Sequence, residues 1–441
     1  MRGWSWRRWV AGAALLAATT ALLAAAGPAW AEASEPGDDL TVYALTFGPG
    51  DHPFFKFGHN ALLVERRHGE GLVYNFGTFA FDSPALIPKF LRGKFMYWLS
   101  VAGERETMMS YAAANRSILA QELDLTPAQR WALWQGLREN ARPENREYLY
   151  DYFYDNCSTR VRDAIDKVVG GRVRAAGQAR VPMTFRDHAL RMTADLWPEA
   201  VGIDLALGRA ADVPLDRWDE AFLPERLADL LRQVRIPDVS GQKNLVKSER
   251  MVFRDVRPAT PARPPNWTLY FLAVGGAIGG AFFTLGRLSR AAAARVVLGC
   301  AASLTGLVLG LLGLILLSLW LLTNHRIAYA NANIMQLAPW SVGLAGYGLK
   351  LIWAPRRAAR AAAALALSAV VFSLLGVVCK LAPGLNQNNW PFVALCLPLW
   401  LGLWGGLRAL RTRVVADVGQ AERLDPRAST RRASRSRRNA A

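Results

Sequence analysis

The sequence predicts an α+β domain followed by an all-α five-helix transmembrane domain. Three observations predict it. Residues 40–250 mix polar and apolar positions as a globular domain does. The stretch "RPATPARPPN" (Arg257–Asn266) then brings four prolines, which block regular structure. Beyond it the composition turns apolar, in five segments near 267–286, 296–323, 337–353, 361–380 and 391–407. Each is near the ~20 residues that a helix needs to cross a bilayer, the third and fifth being the shortest.

Ahead of the globular stretch, Arg2, Arg7 and Arg8 precede an apolar run from Val10 to Ala26, and Ala29-Trp30-Ala31 offers small residues at a peptidase spacing. Residues 1–31 therefore predict a cleaved signal peptide, with an uncleaved anchor as the alternative. In the domain itself, "LTVYALTFG" (Leu40–Gly48), "FGHNALLVE" (Phe57–Glu65) and "GLVYNFGTFAF" (Gly71–Phe81) predict strands, the last two joined by the polar turn "RRHGEG". In "LTPAQRWALWQGLREN", Thr126 is placed as an N-cap, Pro127 at the first helical position and Gln129 to close a capping box. In "YDYFYDNCSTRVRDAI", a helix begins at about Asn156 or Cys157, carries Val161, Ile165, Val168 and Val169 on one face, and stops at Gly170-Gly171.

Charge orients the apolar segments. Arg287, Arg290 and Arg295 lie between the first and second, and Arg356, Arg357 and Arg360 between the third and fourth. Ten arginines follow the fifth, from Arg408 to Arg438. The loops "TNHRIAYANANIMQ" and "LAPGLNQNNW" are poor in positive charge. Five crossings put every Arg-rich region inside and both Asn-rich loops outside, in accord with the positive-inside rule. The expected order is thus a periplasmic domain over 40–250, a linker over 257–266, a transmembrane domain over 267–407 and a cytoplasmic tail over 408–441. The net charge of +18 is concentrated in the tail and the leader. It speaks for topology and anionic lipid rather than nucleic acid, since no nucleic-acid module, phosphate loop or zinc-ligand spacing accompanies it.

Cys157 is the sole cysteine between the leader and the first apolar segment, so no disulfide can form within the soluble domain. It is either a buried inert thiol or a reactive one. Its place at a helix start, with Asn156 able to cap and Ser158 following, favours the thiolate through free backbone N–H groups and the helix dipole. A reactive thiol needs a base. His68 lies in a polar turn, His188 on a helix surface and His52 in a Gly/Pro-rich loop. His59 lies between a glycine and an apolar strand, as a base or as a hydrogen-bonded structural histidine.

A histidine on an early strand ahead of a cysteine at a later helix start is the order of circularly permuted papain-like (NlpC/P60-like) domains, which include acyltransferases. "GHNALLV", "VYNFGTFAF", "KFLRGKFMYWLS", "LTPAQRWAL" and "YDYFYDNCSTRVRD", in this order, resemble the periplasmic domain of Lnb-type lipoprotein N-acyltransferases. The resemblance is close over 40–170 and weak over 170–250. In the membrane half it extends to a loop bearing His325, Asn331, Asn333 and Pro339. It implies Cys157 as nucleophile and His59 as base. Related folds place a polar orienting residue on the strand after the histidine. Tyr74 and Asn75 lie there on opposite faces, and Asn75 is the choice.

The resemblance implies acyl transfer from a membrane phospholipid, through a Cys157 thioester, to the α-amine of a lipidated lipoprotein, at the bacterial inner membrane and with no metal or soluble cofactor. Asn156 and Ser158 would support the helix start or the oxyanion, while Tyr74, His325, Asn331 and Asn333 would be open to substrate binding. "KFLRGKFMYWL" (Lys89–Leu99) is either an interfacial segment or a buried strand with solvated lysines. A peptidoglycan amidopeptidase, a phospholipase and a non-enzymatic membrane scaffold are the competing readings.

Overall fold

A computed structural model describes residues 35–67, 69–79, 92–239 and 241–424. The leader, His68, residues 80–91 (with Lys89) and the tail beyond residue 424 lie outside the described residues.

The soluble domain is built on an antiparallel seven-stranded sheet in the order β6-β4-β3-β2-β1-β5-β9. Its strands are β1 Leu40–Phe47, β2 His59–Arg66, β3 Leu72–Thr78, β4 Met96–Gly103, β5 Ile118–Leu123, β6 Glu147–Leu149 and β9 Val246–Phe253. A small hairpin of β7 (Arg235–Asp238) and β8 (Gly241–Asn244) stands apart. The three strands expected first are its centre, and both their faces are buried, as the near-continuous apolar run of β2 demands. On one face Val42, Ala44, Leu62, Val64, Tyr74 and Phe76 pack against the helix Cys157–Val168 through Val161 and Ile165. On the other, Phe47, Ala61, Leu63 and Val73 meet Met108 and Tyr111 of the helix Glu104–Ala113. Residues 96–99 of the "KFLRGKFMYWL" stretch are strand, with Tyr97 and Leu99 buried.

The caps form as their residues dictate. Thr126 Oγ1 accepts from Gln129 N–H at 3.2 Å, and Gln129 Oε1 from Thr126 N–H at 3.0 Å. Asn156 Oδ1 accepts from Thr159 N–H at 2.9 Å, and Thr159 Oγ1 from Asn156 N–H at 2.8 Å. His188 departs from its expected surface position. It is fully buried, with Nε2 2.9 Å from Glu220 and Nδ1 accepting from Arg191 at 3.0 Å. It supports the fold and does not line the cavity described below.

The linker carries no helix or strand, and its start is tied down: Val256 N–H, just before it, donates to Asn115 Oδ1 at 3.1 Å, and Arg257 pairs with Asp51. Among the described residues, four helices are long and apolar enough to cross a membrane: Thr268–Arg287, Ala292–Leu322, Arg357–Cys379 and Trp390–Arg413. The first and last touch backbone to backbone where Gly279 meets Gly402; a Cβ on Gly402 would lie 2.1 Å from the Gly279 carbonyl oxygen.

The expected third helix is broken. The chain runs as Asn333–Leu337, then Pro339–Gly343 and Leu344–Lys350, with Ala338 between them at φ 49°. Pro339 is the physical reason: it lacks an N–H and excludes its predecessor from helical geometry. The Gln336 carbonyl nearby takes Trp400 Nε1–H at 2.8 Å instead. Among the described residues, four long helices and one discontinuous segment therefore stand in place of the five helices expected. The segment still returns the chain between neighbours. Gly313, Gly310, Gly306 and Gly299 of one long helix face Pro339, Val342, Leu344 and Gly348 in turn.

Two buried arrangements join the halves. Arg186 bonds Asp204 at 2.6 Å and Asp212 at 2.8 Å, fixing the turn at Leu207-Gly208, whose Gly208 N–H donates to Ile327 O at 2.8 Å. Asn331 Nδ2 donates to Leu205 O at 2.8 Å, Asn333 Nδ2 to the same oxygen at 3.0 Å, and Gln387 Nε2 to Leu207 O at 3.1 Å.

Candidate active site

The helix start and the glycine-bearing bulge of β3 position Cys157. The register of β3 against β4 shifts between Asn75 and Thr78, and Gly77 sits there at φ 86°. A Cβ at Gly77 would lie 3.5 Å from Cys157 Cβ and 3.8 Å from the Tyr148 hydroxyl. Only glycine holds that conformation without strain, and its bare Cα leaves room at the thiol. The backbone N–H groups of Asn60, Ser158 and Cys157 itself act on the sulfur.

His59 opens β2, directly before Asn60, and shares a sheet face with Asn75 as the period of two requires. Its Nε2–H donates to Asn75 Oδ1 at 3.3 Å, while Asn75 Nδ2 donates to Val73 O at 3.4 Å. With Nε2 carrying the proton, Nδ1 is left as the basic nitrogen. The ring lies nearly parallel to Phe47 and Tyr111, 5.9 and 6.0 Å away, and those two stack on each other at 3.7 Å.

Burial governs the charge state. It pushes the Cys157 thiol up from its ordinary value, although the three N–H groups and Arg116 pull the other way. It pushes His59 down to about 3, with Arg116 adding to the effect and the Asn75 bond opposing it. The expected preference of the helix start for thiolate is therefore outweighed by desolvation. The thiol and the imidazole are thus both neutral at rest.

Cys157, His59 and Asn75 line one cavity of about 810 Å³. That is at the upper end of the roughly 300–1,000 Å³ of small-molecule sites. Its walls are chiefly apolar: Phe55, Phe79, Tyr97, Tyr150, Phe222 and Ile327 among them. Tyr150, in the aromatic block ahead of Cys157, stacks on Tyr97 at 4.0 Å. The cavity reaches the membrane half at Leu319, near the end of the long helix Ala292–Leu322, and at His325 and Ala328.

The structure distributes the other expected residues. Asn156 lines the cavity, but its side chain is spent on the cap and on the carbonyls of Tyr152 and Phe222, at 2.9 and 3.0 Å. Ser158 Oγ donates to Ala221 O at 2.7 Å, so its backbone N–H alone serves the site. Tyr74 is buried in the core on the face opposite Asn75. His325 lines the membrane side of the cavity. Asn331 and Asn333 do not line it and are fully engaged in the joint between the halves.

Arg116 escapes sequence reasoning. It follows Asn115, a non-glycine residue at φ 49°, in a short turn before β5. Nothing in "AANRSI" distinguishes it from a solvated arginine, yet it is buried against the cavity.

Residues 26–191 match the model of the Lnb N-terminal periplasmic domain. No curated protein and no solved structure matches the chain. The amino-terminal part of this chain is therefore similar to the Lnb N-terminal periplasmic domain.

Proposed function

We propose that this chain, with its Lnb-type domain set on a helical membrane half, is a lipoprotein N-acyltransferase of the bacterial inner membrane. The observation that carries the reading is the cavity. A cysteine, a histidine and an asparagine line this chiefly apolar space, and so does Leu319 of a membrane-length helix.

In the first half-reaction His59 Nδ1 takes the thiol proton as Cys157 Sγ attacks an ester carbonyl of a glycerophospholipid. Asn75 holds the imidazole in the tautomer that this needs. The N–H groups of Asn60, Ser158 and Cys157 are the donors for the oxyanion. Collapse breaks the ester C–O bond, and His59 returns the proton to the departing glyceryl oxygen. This leaves a Cys157 thioester and a lysophospholipid. In the second half-reaction the α-amine of a lipidated lipoprotein cysteine attacks the thioester. His59 takes the amine proton and passes it to the leaving sulfur, giving an amide and the free thiol. His325, which lines the same cavity from the membrane half, is the candidate to receive that amine.

Lipid substrates give the membrane half its purpose. Moving an acyl chain into water costs about 0.8 kcal/mol per methylene, or roughly 12 kcal/mol for a chain of about 15. An apolar cavity continuous with a membrane helix avoids that cost. The Arg-rich connections at 288–295 and 354–360 lie at the helix ends away from the soluble domain, while the Asn-rich loops touch it. This supports a periplasmic catalytic domain and a cytoplasmic carboxyl terminus. A peptidoglycan amidopeptidase would need a polar groove for its peptide, and the cavity walls are chiefly apolar.

The test is expression in a strain depleted of its own lipoprotein N-acyltransferase, with lipoprotein amino termini analysed by mass spectrometry. Wild type should restore N-acylation and Cys157→Ala should not. Unmodified termini with well-expressed wild type would contradict the reading.

A further inference from the structure

Arg116 is a buried cation without an acid. Its relative exposure is 5 %, and among the described residues no carboxylate forms an ion pair with it. Nε donates to Gly48 O at 2.8 Å. The guanidinium lies over Tyr111 at 4.7 Å and Phe55 at 5.2 Å from the ring centroids. Its Nη2 is buried with no hydrogen-bond partner. Tyr111 and Phe55 line the same cavity as His59 and Cys157. The one arginine near enough to register, Arg257, adds repulsion and is itself neutralised by Asp51.

A guanidinium held this way is expensive. Taking a charge out of water without a counter-ion costs several kcal/mol, and natural proteins pair such groups or leave them solvated. Two aromatic faces and one carbonyl immobilise the fork while leaving a donor unused. That is the arrangement of a preformed anion site awaiting its anion.

We propose that Arg116 receives the phosphate of the donor glycerophospholipid. This rests on the acyl-transfer reading and names its donor class: a lipid carrying a phosphate next to the ester, rather than a neutral diacylglycerol. A phosphate is joined through glycerol to the ester that Cys157 attacks, and Arg116 and Cys157 line one cavity. The apolar walls that reach Leu319 take the acyl chains. A peptide carboxylate would satisfy the same fork but would leave those walls unused.

The experiment uses the full-length protein in vesicles of phosphatidylglycerol, or of neutral lipid doped with diacylglycerol of the same acyl composition. Acyl-thioester formation on Cys157 is read by mass spectrometry, with a short neutral ester as a third donor. Wild type should acylate at least about tenfold faster from the phospholipid than from diacylglycerol, the worth of one charge-assisted hydrogen bond. Arg116→Gln should lose most of that preference by raising KM for phospholipid, while its rate with the short neutral ester persists. Arg116→Lys, which keeps the charge and loses the fork, should fall between them. Equal wild-type use of both lipids overturns the proposal without any variant. So does an Arg116→Gln protein slowed equally with all three donors, which would make Arg116 a partner of the thiolate. If wild type takes acyl groups from the short ester but from neither lipid, the acyl-transfer reading itself fails.

Discussion

The neutral state of Cys157 sets how the thiol responds to pH. In a papain-type ion pair the thiolate exists from mildly acidic pH upward, and alkylation is correspondingly fast and level. Here burial outweighs three backbone donors and holds the thiol above its ordinary 9.0. At pH 7 less than about 1 % of Cys157 is then thiolate, and each pH unit multiplies that fraction about tenfold. The assay is iodoacetamide labelling of the full chain in detergent between pH 5 and 9. Peptide mass spectrometry separates Cys157 from Cys300, Cys379 and Cys396, which are also free. The labelling rate at Cys157 should climb about tenfold per unit across the range. Acyl-enzyme formation, which uses the neutral pair, should stay level from pH 5 to 8, because His59 takes up a proton only near 3. A labelling rate that levels off at or below pH 7 would refute the reasoning and restore the ion pair.

Three further outcomes follow from the same geometry. His59 is lowered on folding from its ordinary 6.5 to about 3, so the unfolded chain gains the proton first as pH falls. Stability should therefore drop by about 1.4 kcal/mol per unit between 6.5 and 3, and His59→Gln should flatten that slope in acid melts. Gly77→Ala places a β-carbon at φ 86° and should cost about 1–2 kcal/mol, seen as a lowered melting temperature, with Cys157 still acylated in the folded fraction. Asn331→Leu removes its donor from the carbonyls of Leu205 and Ala206, of which Leu205 keeps Asn333. It should loosen the joint by about 1–3 kcal/mol, visible as faster proteolysis at residues 205–212.

Much of this site is local in origin and so legible in the chain. The three central strands follow from apolar runs bounded by glycines and charges. The Cys157 helix starts where Asn156 and Thr159 can cap each other. Asn75 rather than Tyr74 meets His59 because a strand alternates its faces. What stays hidden depends on long-range packing. Arg116 becomes a cavity residue only when the turn carrying Phe55 closes over it. Asn331 and Asn333, in a loop that looks free, are consumed by carbonyls more than a hundred residues away. His188 lies inside, where Arg191 donates to its Nδ1 and Glu220, brought there by tertiary packing, stands 2.9 Å from Nε2. The thiolate expected at the helix start fails for the same reason: a dipole argument is local, and desolvation is set by everything folded around it. In the membrane half, hydropathy counts passes, and it does not see that Pro339 and Ala338 break one of them.

The central claim is that Cys157 carries an acyl group between two lipids. It is tested most directly by incubating the full-length protein with phospholipid labelled in its acyl chains and no acceptor. The account predicts a stoichiometric label on Cys157 that hydroxylamine releases and that a lipidated amino-terminal cysteine peptide removes as an amide. Label transferred to the peptide by Cys157→Ala protein, or by wild type with no thioester in between, would contradict it.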